Sequence, residues 1–312
     1  MSSIPELPLE IQHSIISCVA EPDSSDQITE TLRACSLVSK GWHAGAQRWI
    51  LQRLQFTIHF TDKVASNREA ARQCKTIKQF LAFVGTNPGL KRHIESIHLD
   101  ITSSTTTTVL DSGTCNGSPM NRIRDLAEEL KDTIREVWLS FSSPELLVQS
   151  GSLRKRLYNL CSGSMLHTLY LHNTVVPSTL LAQPDIRTLI LDDCTGVRDD
   201  IGEKQAKQLR EKHLALKSHN GNIGCTLDML VVYDSDKRQR QVFTDLWNFV
   251  QQTDYAQDLL SRIKSLDVCL TKSIPAVGMH DRVLYSKHLQ SLTLSYIAPF
   301  CKSLFFLIST PF

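Results

Sequence analysis

Apolar residues recur along most of this chain in one short pattern: apolar, two other residues, apolar, one other residue, apolar. The last two apolar positions lie two residues apart, so in a strand they point to one side and the residue between them points to the other. The pattern therefore predicts seven strands, each with one buried and one open side. The copies are Ile94, Ile97, Leu99; Ile134, Val137, Leu139; Leu166, Leu169, Leu171; Ile186, Leu189, Leu191; Leu227, Leu230, Val232; Ile263, Leu266, Val268; and Leu289, Leu292, Leu294.

The third residue after each copy provides an independent check of this register. It is a small side chain that can hydrogen-bond to the backbone of the following turn in every copy except the last. These residues are Thr102, Ser142, Thr174, Cys194, Ser235, Thr271 and, in the last copy, Ile297. The pattern resembles the leucine-rich repeat, Leu-x-x-Leu-x-Leu-x-x-Asn/Cys. Because the copies are spaced irregularly, from 20 to 41 residues apart, we expect a degenerate arc with a parallel sheet inside and helices or loops outside.

Between the predicted strands, helical periodicity indicates helices over 76–84, 123–131, 201–217 and 242–260. The small and polar stretch 102–121 is predicted to be a mobile loop. The run Leu304 to Ile308 is too apolar to remain in water. It either folds back as a cap on the last strand or belongs to a shortened form of a longer protein. The missing hydrogen-bonding residue at Ile297 favours the shortened form, so we expect the chain to aggregate or to need a partner.

The first fifty residues follow a different pattern. Pro8 suits a first helical turn, and the apolar residues after it repeat at helical spacing. Turn and capping residues then separate a second and a third short helix. The positions that define the three helices are Ile11, Ile15 and Val19; Ile28 and Leu32; and Trp42, Ala46, Trp49 and Ile50. Three helices this short cannot bury all of these side chains against one another, so we expect the segment to dock onto another protein.

These residues resemble the F-box, an adaptor-binding motif, and most closely the F-box proteins abundant in mushroom-forming fungi. The matching positions are Leu7-Pro8, Ile11, Ile15, Val38 and Trp42. The resemblance implies an α/β protein with a three-helix F-box over 1–56 and an irregular leucine-rich-repeat-like solenoid arc over 57–312. It also implies a Skp-type adaptor as partner, bound through Leu7, Pro8, Ile11, Ile15, Leu32, Val38 and Trp42.

An F-box joined to repeats resembles the substrate receptors of cullin-based ubiquitin ligases, which contribute proximity and not catalysis. The substrate would bind the open side of the strands, where the middle positions of the copies are His98, Trp138, Tyr170, Ile190, Val231, Asp267 and Thr293. Four consecutive members, Trp138, Tyr170, Ile190 and Val231, are large or apolar and are the predicted substrate contacts. The alternative is that a loop covers them or that splayed repeats bury Trp138.

Composition narrows the remaining function classes. The net charge of +2 favours neither nucleic acid nor anionic membrane as a partner. Nine scattered cysteines without a Cys-x-x-Cys pair indicate reduced thiols in an intracellular protein, cytoplasmic or nuclear. No motif for a nucleophile, a phosphate loop, a cofactor or a metal occurs, which favours a non-catalytic protein. Two alternatives stay open, a scaffold acting outside a ligase and an enzyme with a loop-borne site; the sequence does not identify the substrate.

Overall fold

The computed structural model describes residues 7–20, 25–60, 67–103, 119–181, 186–198, 229–234, 265–270, 291–296 and 304–308. These residues form an α/β fold around a mostly parallel sheet. The helices are α1 Leu9–Ala20, α2 Ser25–Ser36, α3 Lys40–Gln52, α4 Asn67–Thr86, α5 Pro88–Lys91, α6 Pro119–Leu130, α7 Leu146–Gln149, α8 Gly151–Cys161 and α9 Ser178–Leu181. The strands are β1 Arg53–Phe60, β2 Ser96–Ser103, β3 Glu136–Phe141, β4 Thr168–His172, β5 Val175–Pro177, β6 Thr188–Asp192, β7 Gly196–Arg198, β8 Met229–Asp234, β9 Ser265–Leu270, β10 Ser291–Tyr296 and β11 Leu304–Ile308.

The strands of the main sheet follow one another in chain order. Among the described strands the order is β1-β2-β3-β4-β6-β8-β9-β10-β11, and the two short strands β5 and β7 form a separate parallel pair. Every pair in the main sheet is parallel except the last, in which β11 runs antiparallel to β10. The apolar run Leu304–Ile308 therefore lies beside the last repeat strand, which matches the fold-back alternative for this segment.

The seven predicted strands are confirmed, and their copies of the pattern lie in register. The second apolar position of each copy occupies one continuous row across the sheet, formed by Ile97, Val137, Leu169, Leu189, Leu230, Leu266 and Leu292. The same backbone hydrogen bond recurs between the residues that precede neighbouring strands. Arg135 N–H donates to the Glu95 carbonyl, and His167 N–H donates to the Arg135 carbonyl. A repeated sequence pattern has thus produced a repeated backbone geometry.

The core lies on one side of the sheet, because side chains alternate between the two faces of each strand. On β4, Leu169 and Leu171 are fully buried while Tyr170 between them is only partly buried. Three amphipathic helices cover the buried side and contribute to the same apolar cluster: α4 through Ile77 and Val84, α6 through Ile123 and Leu126, and α8 through Leu153 and Leu157. Helix α4 includes the predicted range 76–84, and α6 covers the predicted range 123–131 except for its last residue.

The first strand of the sheet crosses the position at which the sequence analysis placed a domain boundary. β1 runs from Arg53 to Phe60 and pairs along its whole length with β2, so the sheet begins before residue 57. The reason is an eighth copy of the pattern, Leu51, Leu54 and Phe56. Its side chains pack with the core of the sheet. The sequence signal was present and extends the repeat region to about residue 51.

Small residues after three of the strands contact the backbone as predicted, whereas the Thr102 hydroxyl contacts the side chain of His59. The Ser142 hydroxyl accepts a hydrogen bond from the Ser103 backbone N–H at 3.1 Å. The Cys194 thiol donates to the Leu171 carbonyl at 3.3 Å. Thr174 is fully buried beside the same turns, with its hydroxyl 3.5 Å from the Pro144 carbonyl. The corresponding residues of the last three copies, Ser235, Thr271 and Ile297, lie outside the described residues.

Two further expectations fall partly outside the described residues. The predicted loop 102–121 is shorter than expected, because Thr102 and Ser103 belong to β2 and 119–121 begin α6. Its remaining residues, and the predicted helices 201–217 and 242–260, lie outside the described ranges. Within those ranges, no helix combines the length and the hydropathy that a membrane-spanning helix requires.

Candidate functional site

Large side chains form a row on the side of the sheet opposite the core, which we call the open face. His98, Trp138, Tyr170 and Ile190 occupy matching positions on β2, β3, β4 and β6, and all four are partly buried. Val231 on β8 continues the row but is only 3% exposed, so it offers a partner almost no surface. Of the four predicted substrate contacts, Trp138, Tyr170 and Ile190 therefore retain accessible surface, and Val231 does not. The side chains of Asp267 and Thr293 lie outside the described residues.

The aromatic members of this row stack on one another. The rings of Trp138 and Tyr170 have centroids 4.3 Å apart and planes inclined by 24°. The His98 ring follows on the other side of Trp138, with a centroid separation of 6.1 Å and an interplanar angle of 49°. Tyr170 therefore covers one face of the indole, while His98 lies tilted beside it. A partner would meet the remaining surface of these rings, a pre-ordered apolar surface of the kind that forms binding hot spots.

Two histidine–carboxylate pairs flank the aromatic stack, and the second of them is hydrogen-bonded. On β2, His98 Nε2 lies 3.2 Å from Asp100 Oδ1, and the Gln55 side chain donates to Asp100 Oδ2 at 3.0 Å. On the other flank, His172 Nδ1 lies 3.2 Å from Asp192 Oδ2, and the Tyr170 hydroxyl donates to the same oxygen. The second pair links β4 to β6. These bonds hold both carboxylates in place beside the stack.

The open face carries an excess of carboxylates over cations. Across β2, β3, β4 and β6 its residues are Ser96, His98, Asp100, Glu136, Trp138, Ser140, Thr168, Tyr170, His172, Thr188, Ile190 and Asp192. Three of these are acidic and none is lysine or arginine, although the whole chain has a net charge of +2. The matching positions of β1 add one cation, Arg53, which lies in the row of Ser96 and Glu136, so the carboxylates remain in excess. Among the described residues, Glu136 makes no ion pair or side-chain hydrogen bond, and Asp192 Oδ1 accepts none. The local field of this face is therefore negative.

One group on the open face has the composition of a metal site. Ligand atoms of His172, Asp192 and Asp193 lie within 4.8 Å of one another, and all three residues are partly buried. The hydrogen bonds that Asp192 accepts from Tyr170 and His172 already explain its position. The grouping therefore does not by itself require an ion.

The same strands place Ser140, His172 and Asp192 in one row, the residue types of a nucleophilic triad. A serine nucleophile needs a hydrogen bond to its histidine base. Within the described residues, Ser140 makes no hydrogen bond with His172, whereas Asp192 is shared with Tyr170. The arrangement lacks the nucleophile–base contact that would activate the serine hydroxyl.

A second candidate surface lies on the three N-terminal helices, which pack on one another. Six of the eight large apolar side chains that are exposed in the described residues belong to residues 7–38. These six are Leu7, Leu9, Ile11, Ile15, Leu37 and Val38. The last two lie in the turn between α2 and α3 and are the most exposed, at 86% and 67%. We call this set the N-terminal apolar surface. Exposed apolar residues concentrated in this way mark an interaction site.

Helix α1 is apolar on two sides, which explains why part of it stays exposed. Ile16 is fully buried and Gln12, one turn earlier, is 2% exposed, so this stripe faces the other helices. Ile11 and Ile15 form the adjacent stripe and remain exposed. Gly41 at the start of α3 allows the close approach, because a Cβ there would lie 2.5 Å from Gln12 Oε1. The packing of α1 thus leaves its second apolar stripe available to a partner.

Two of the predicted adaptor contacts, Leu32 and Trp42, are not exposed as the prediction requires. Leu32 is 3% exposed and, with Ile16 and Ala46, forms the buried centre of the three helices. It therefore stabilises the helices and does not offer a contact surface, because an amphipathic helix turns its central apolar stripe inward. Trp42 is partly buried. Leu7, Pro8, Ile11, Ile15 and Val38 are exposed as a docking surface requires.

The sequence analysis missed Asp100, Asp192, Glu136 and His172 as members of the open face. A signal existed, since each lies two residues before or after a middle position that the pattern had identified, and alternate strand residues share a face.

Comparison with known proteins gives no match, either to a protein-family model or to a curated protein.

Proposed function

We propose that this protein is a non-catalytic substrate receptor of a Skp-cullin-F-box ubiquitin ligase. In this proposal the N-terminal helices bind a Skp-type adaptor, and through it a cullin, while the open face of the sheet binds a protein substrate. The chain would act by raising the concentration of substrate near the ubiquitin-carrying enzyme. Its place of action would be intracellular, cytoplasmic or nuclear.

The N-terminal apolar surface is the observation that carries the proposal. Leu7, Ile11, Ile15 and Val38 match the F-box pattern in sequence and are exposed. Leaving large apolar side chains in water forgoes about 1.5–3 kcal/mol each relative to full burial. A partner that covers these side chains recovers that free energy, and the same residues are those through which the resemblance implies adaptor binding.

Co-expression with a Skp-type adaptor, followed by affinity capture, tests the adaptor contact. We expect a stable complex that the double variant Ile11→Asp with Val38→Asp abolishes, because both side chains would place a charge in an apolar interface. The matched control is Phe83→Asp with Met165→Asp, since these two apolar side chains are exposed on other parts of the chain. Circular dichroism shows whether both variants are folded. If the folded Ile11→Asp, Val38→Asp variant still captures the adaptor, the adaptor assignment is wrong.

The presence of a cullin separates the receptor from its alternative, a scaffold that binds an adaptor outside a ligase. A cullin that co-purifies with the adaptor complex supports the receptor, and an adaptor complex that never recruits one supports the scaffold. An enzyme with a loop-borne site remains the third alternative. A fluorophosphonate probe that labels a serine in a loop between the strands would favour it.

A further inference from the structure

The open face has the chemistry to recognise a basic segment. Its three carboxylates surround an aromatic stack, and from β1 to β6 the one lysine or arginine on the same face is Arg53 of β1, two strands from Glu136. The chain as a whole carries a net charge of +2, so this acidity is a local property and not a reflection of composition. Opposite charge attracts a partner over a distance of about 8–10 Å at ordinary ionic strength and orients it on arrival.

Two of the carboxylates retain acceptor capacity. Among the described residues, the carboxylate of Glu136 has no hydrogen-bond or ion-pair partner, and Asp192 uses only Oδ2 for the bonds from Tyr170 and His172. Asp100 is different, because His98 and Gln55 occupy both of its oxygens. A guanidinium or ammonium group can therefore pair with Glu136 and Asp192, while Asp100 contributes charge.

The strand register sets the distance between Glu136 and Asp192, which we call the two anchors of the open face. Glu136 on β3 and Asp192 on β6 are two strand spacings and four residues apart. With about 4.8 Å between strands and about 3.3 Å per residue, the separation is about 16 Å. An extended peptide spans this length in about five residues. Tyr170 lies midway along the diagonal, so the apolar residues between two cations would meet the aromatic stack.

We propose that the open face binds an extended segment of a partner protein with two arginine or lysine residues about five positions apart, one at Glu136 and one at Asp192. This inference deepens the proposed function and rests on it, because it names the class of substrate that the same face would take. The fixed geometry of Asp192, held by Tyr170 and His172, orders one anchor before binding. Pre-ordered contacts reduce the entropic cost of association.

Fluorescence polarisation with three labelled peptides tests the proposal on the full chain. The probe is fluorescein-Gly-Arg-Leu-Ser-Ser-Leu-Arg-Gly, in which the arginines are five positions apart. The second peptide, Gly-Leu-Ser-Arg-Arg-Ser-Leu-Gly, has the same composition with adjacent arginines, and the third replaces both arginines of the probe by glutamate. We expect the probe to bind at least threefold more tightly than the adjacent-arginine peptide and at least tenfold more tightly than the glutamate peptide.

Variants of the protein locate the binding. Asp192→Asn and Glu136→Gln should each weaken the probe at least fivefold, since they keep the shape of the side chain and remove its charge. The matched control is Glu128→Gln on α6, a more exposed carboxylate outside the open face. Absence of binding, equal affinity for the arginine and glutamate peptides, or an equal loss in Glu128→Gln would overturn the inference.

The adaptor variant separates this inference from the proposed function. Ile11→Asp with Val38→Asp should leave the affinity for the probe unchanged, because the N-terminal apolar surface is not part of the open face. If adaptor capture succeeds and the probe fails to bind, the basic-segment inference is wrong while the receptor proposal stands. If the probe binds and adaptor capture fails, the open face is a basic-segment site in a protein with another role.

Discussion

Gly163 lies directly against the backbone carbonyl of Lys131, so that a Cβ at position 163 would overlap that oxygen. Lys131 follows α6 and Gly163 follows α8, the two helices that pack side by side under the sheet. The contact involves backbone and not a flexible side chain, which leaves no easy way to make room. Glycine at this position is thus a condition for the close approach of the two helix ends.

Gly163→Ala should destabilise the protein by about 1–3 kcal/mol, because the added methyl group forces the backbones apart. Gly85→Ala is the matched control, since a Cβ at that position on α4 meets no atom within 4 Å. Alanine is favoured over glycine by about 0.5–1 kcal/mol in a helix interior and by less in the last turn, where Gly85 lies, so the control should be unchanged or slightly stabilised. Urea unfolding of both variants measures the difference, and a Gly163→Ala protein as stable as the control would contradict the packing.

The two faces of β4 should respond differently to truncation. Leu169→Ala should cost about 2–5 kcal/mol, because it opens a cavity in the core. Tyr170→Ala should cost less, about 1–2 kcal/mol, from the loss of one stacked pair and one hydrogen bond. Thermal melts decide between them. A larger loss for Tyr170→Ala would mean that the assignment of the two faces is reversed along the whole row.

Trp138 and Tyr170 should be energetically coupled. A double-mutant cycle with Trp138→Ala and Tyr170→Ala is expected to give an interaction free energy of about 0.5–1.5 kcal/mol, the usual value of an aromatic pair. Combining Trp138→Ala with Phe83→Ala provides the control. Phe83 is exposed on α4, which packs on the other side of the sheet, so these two effects should add. If the losses of stability also add for Trp138→Ala and Tyr170→Ala, the contact between the two rings contributes nothing to stability.

Buried and exposed cysteines should differ in reactivity. Burial raises the pKa of Cys161 and of Cys194 to about 12 in each case, so the thiolate of either residue is scarce at pH 8 and becomes abundant only as the pH approaches 12. Iodoacetamide at pH 8 should therefore modify Cys18, which is exposed, long before Cys161 or Cys194. Peptide mass spectrometry after timed quenching measures the order. Equal rates in the folded protein, with unfolded protein as the reference, would contradict the burial.

The sheet could be predicted from the sequence because its signal is local. Two apolar residues two positions apart, such as Leu169 and Leu171, define a strand and its buried side without any knowledge of its neighbours. The same reasoning predicted the partial exposure of Trp138 and Tyr170. It did not include Leu54 and Phe56, because the first copy directly follows α3 and was interpreted as part of the helical segment.

What could not be predicted depends on contacts between distant parts of the chain. The pairing of His172 with Asp192 arises from strands 20 residues apart, and neither residue belongs to a motif. The inward stripe of α1 was also missed, since Ile15 and Ile16 are adjacent and equally apolar, and the packing of α1 against the other two helices decides which one is buried. The burial of Val231 likewise reflects its surroundings and not its place in the pattern.

The chain-ordered sheet gives this protein unusual freedom to change its length. From Thr168 to Thr188 the chain takes 20 residues to reach the next strand, and from Thr188 to Met229 it takes 41, yet both steps end in the same parallel register. Closing a connection of twice the length costs only about 0.6 kcal/mol in entropy. Insertions between strands are therefore nearly neutral for folding. Descendants of such a chain can add or lose whole connecting segments while the residues of the open face keep their positions.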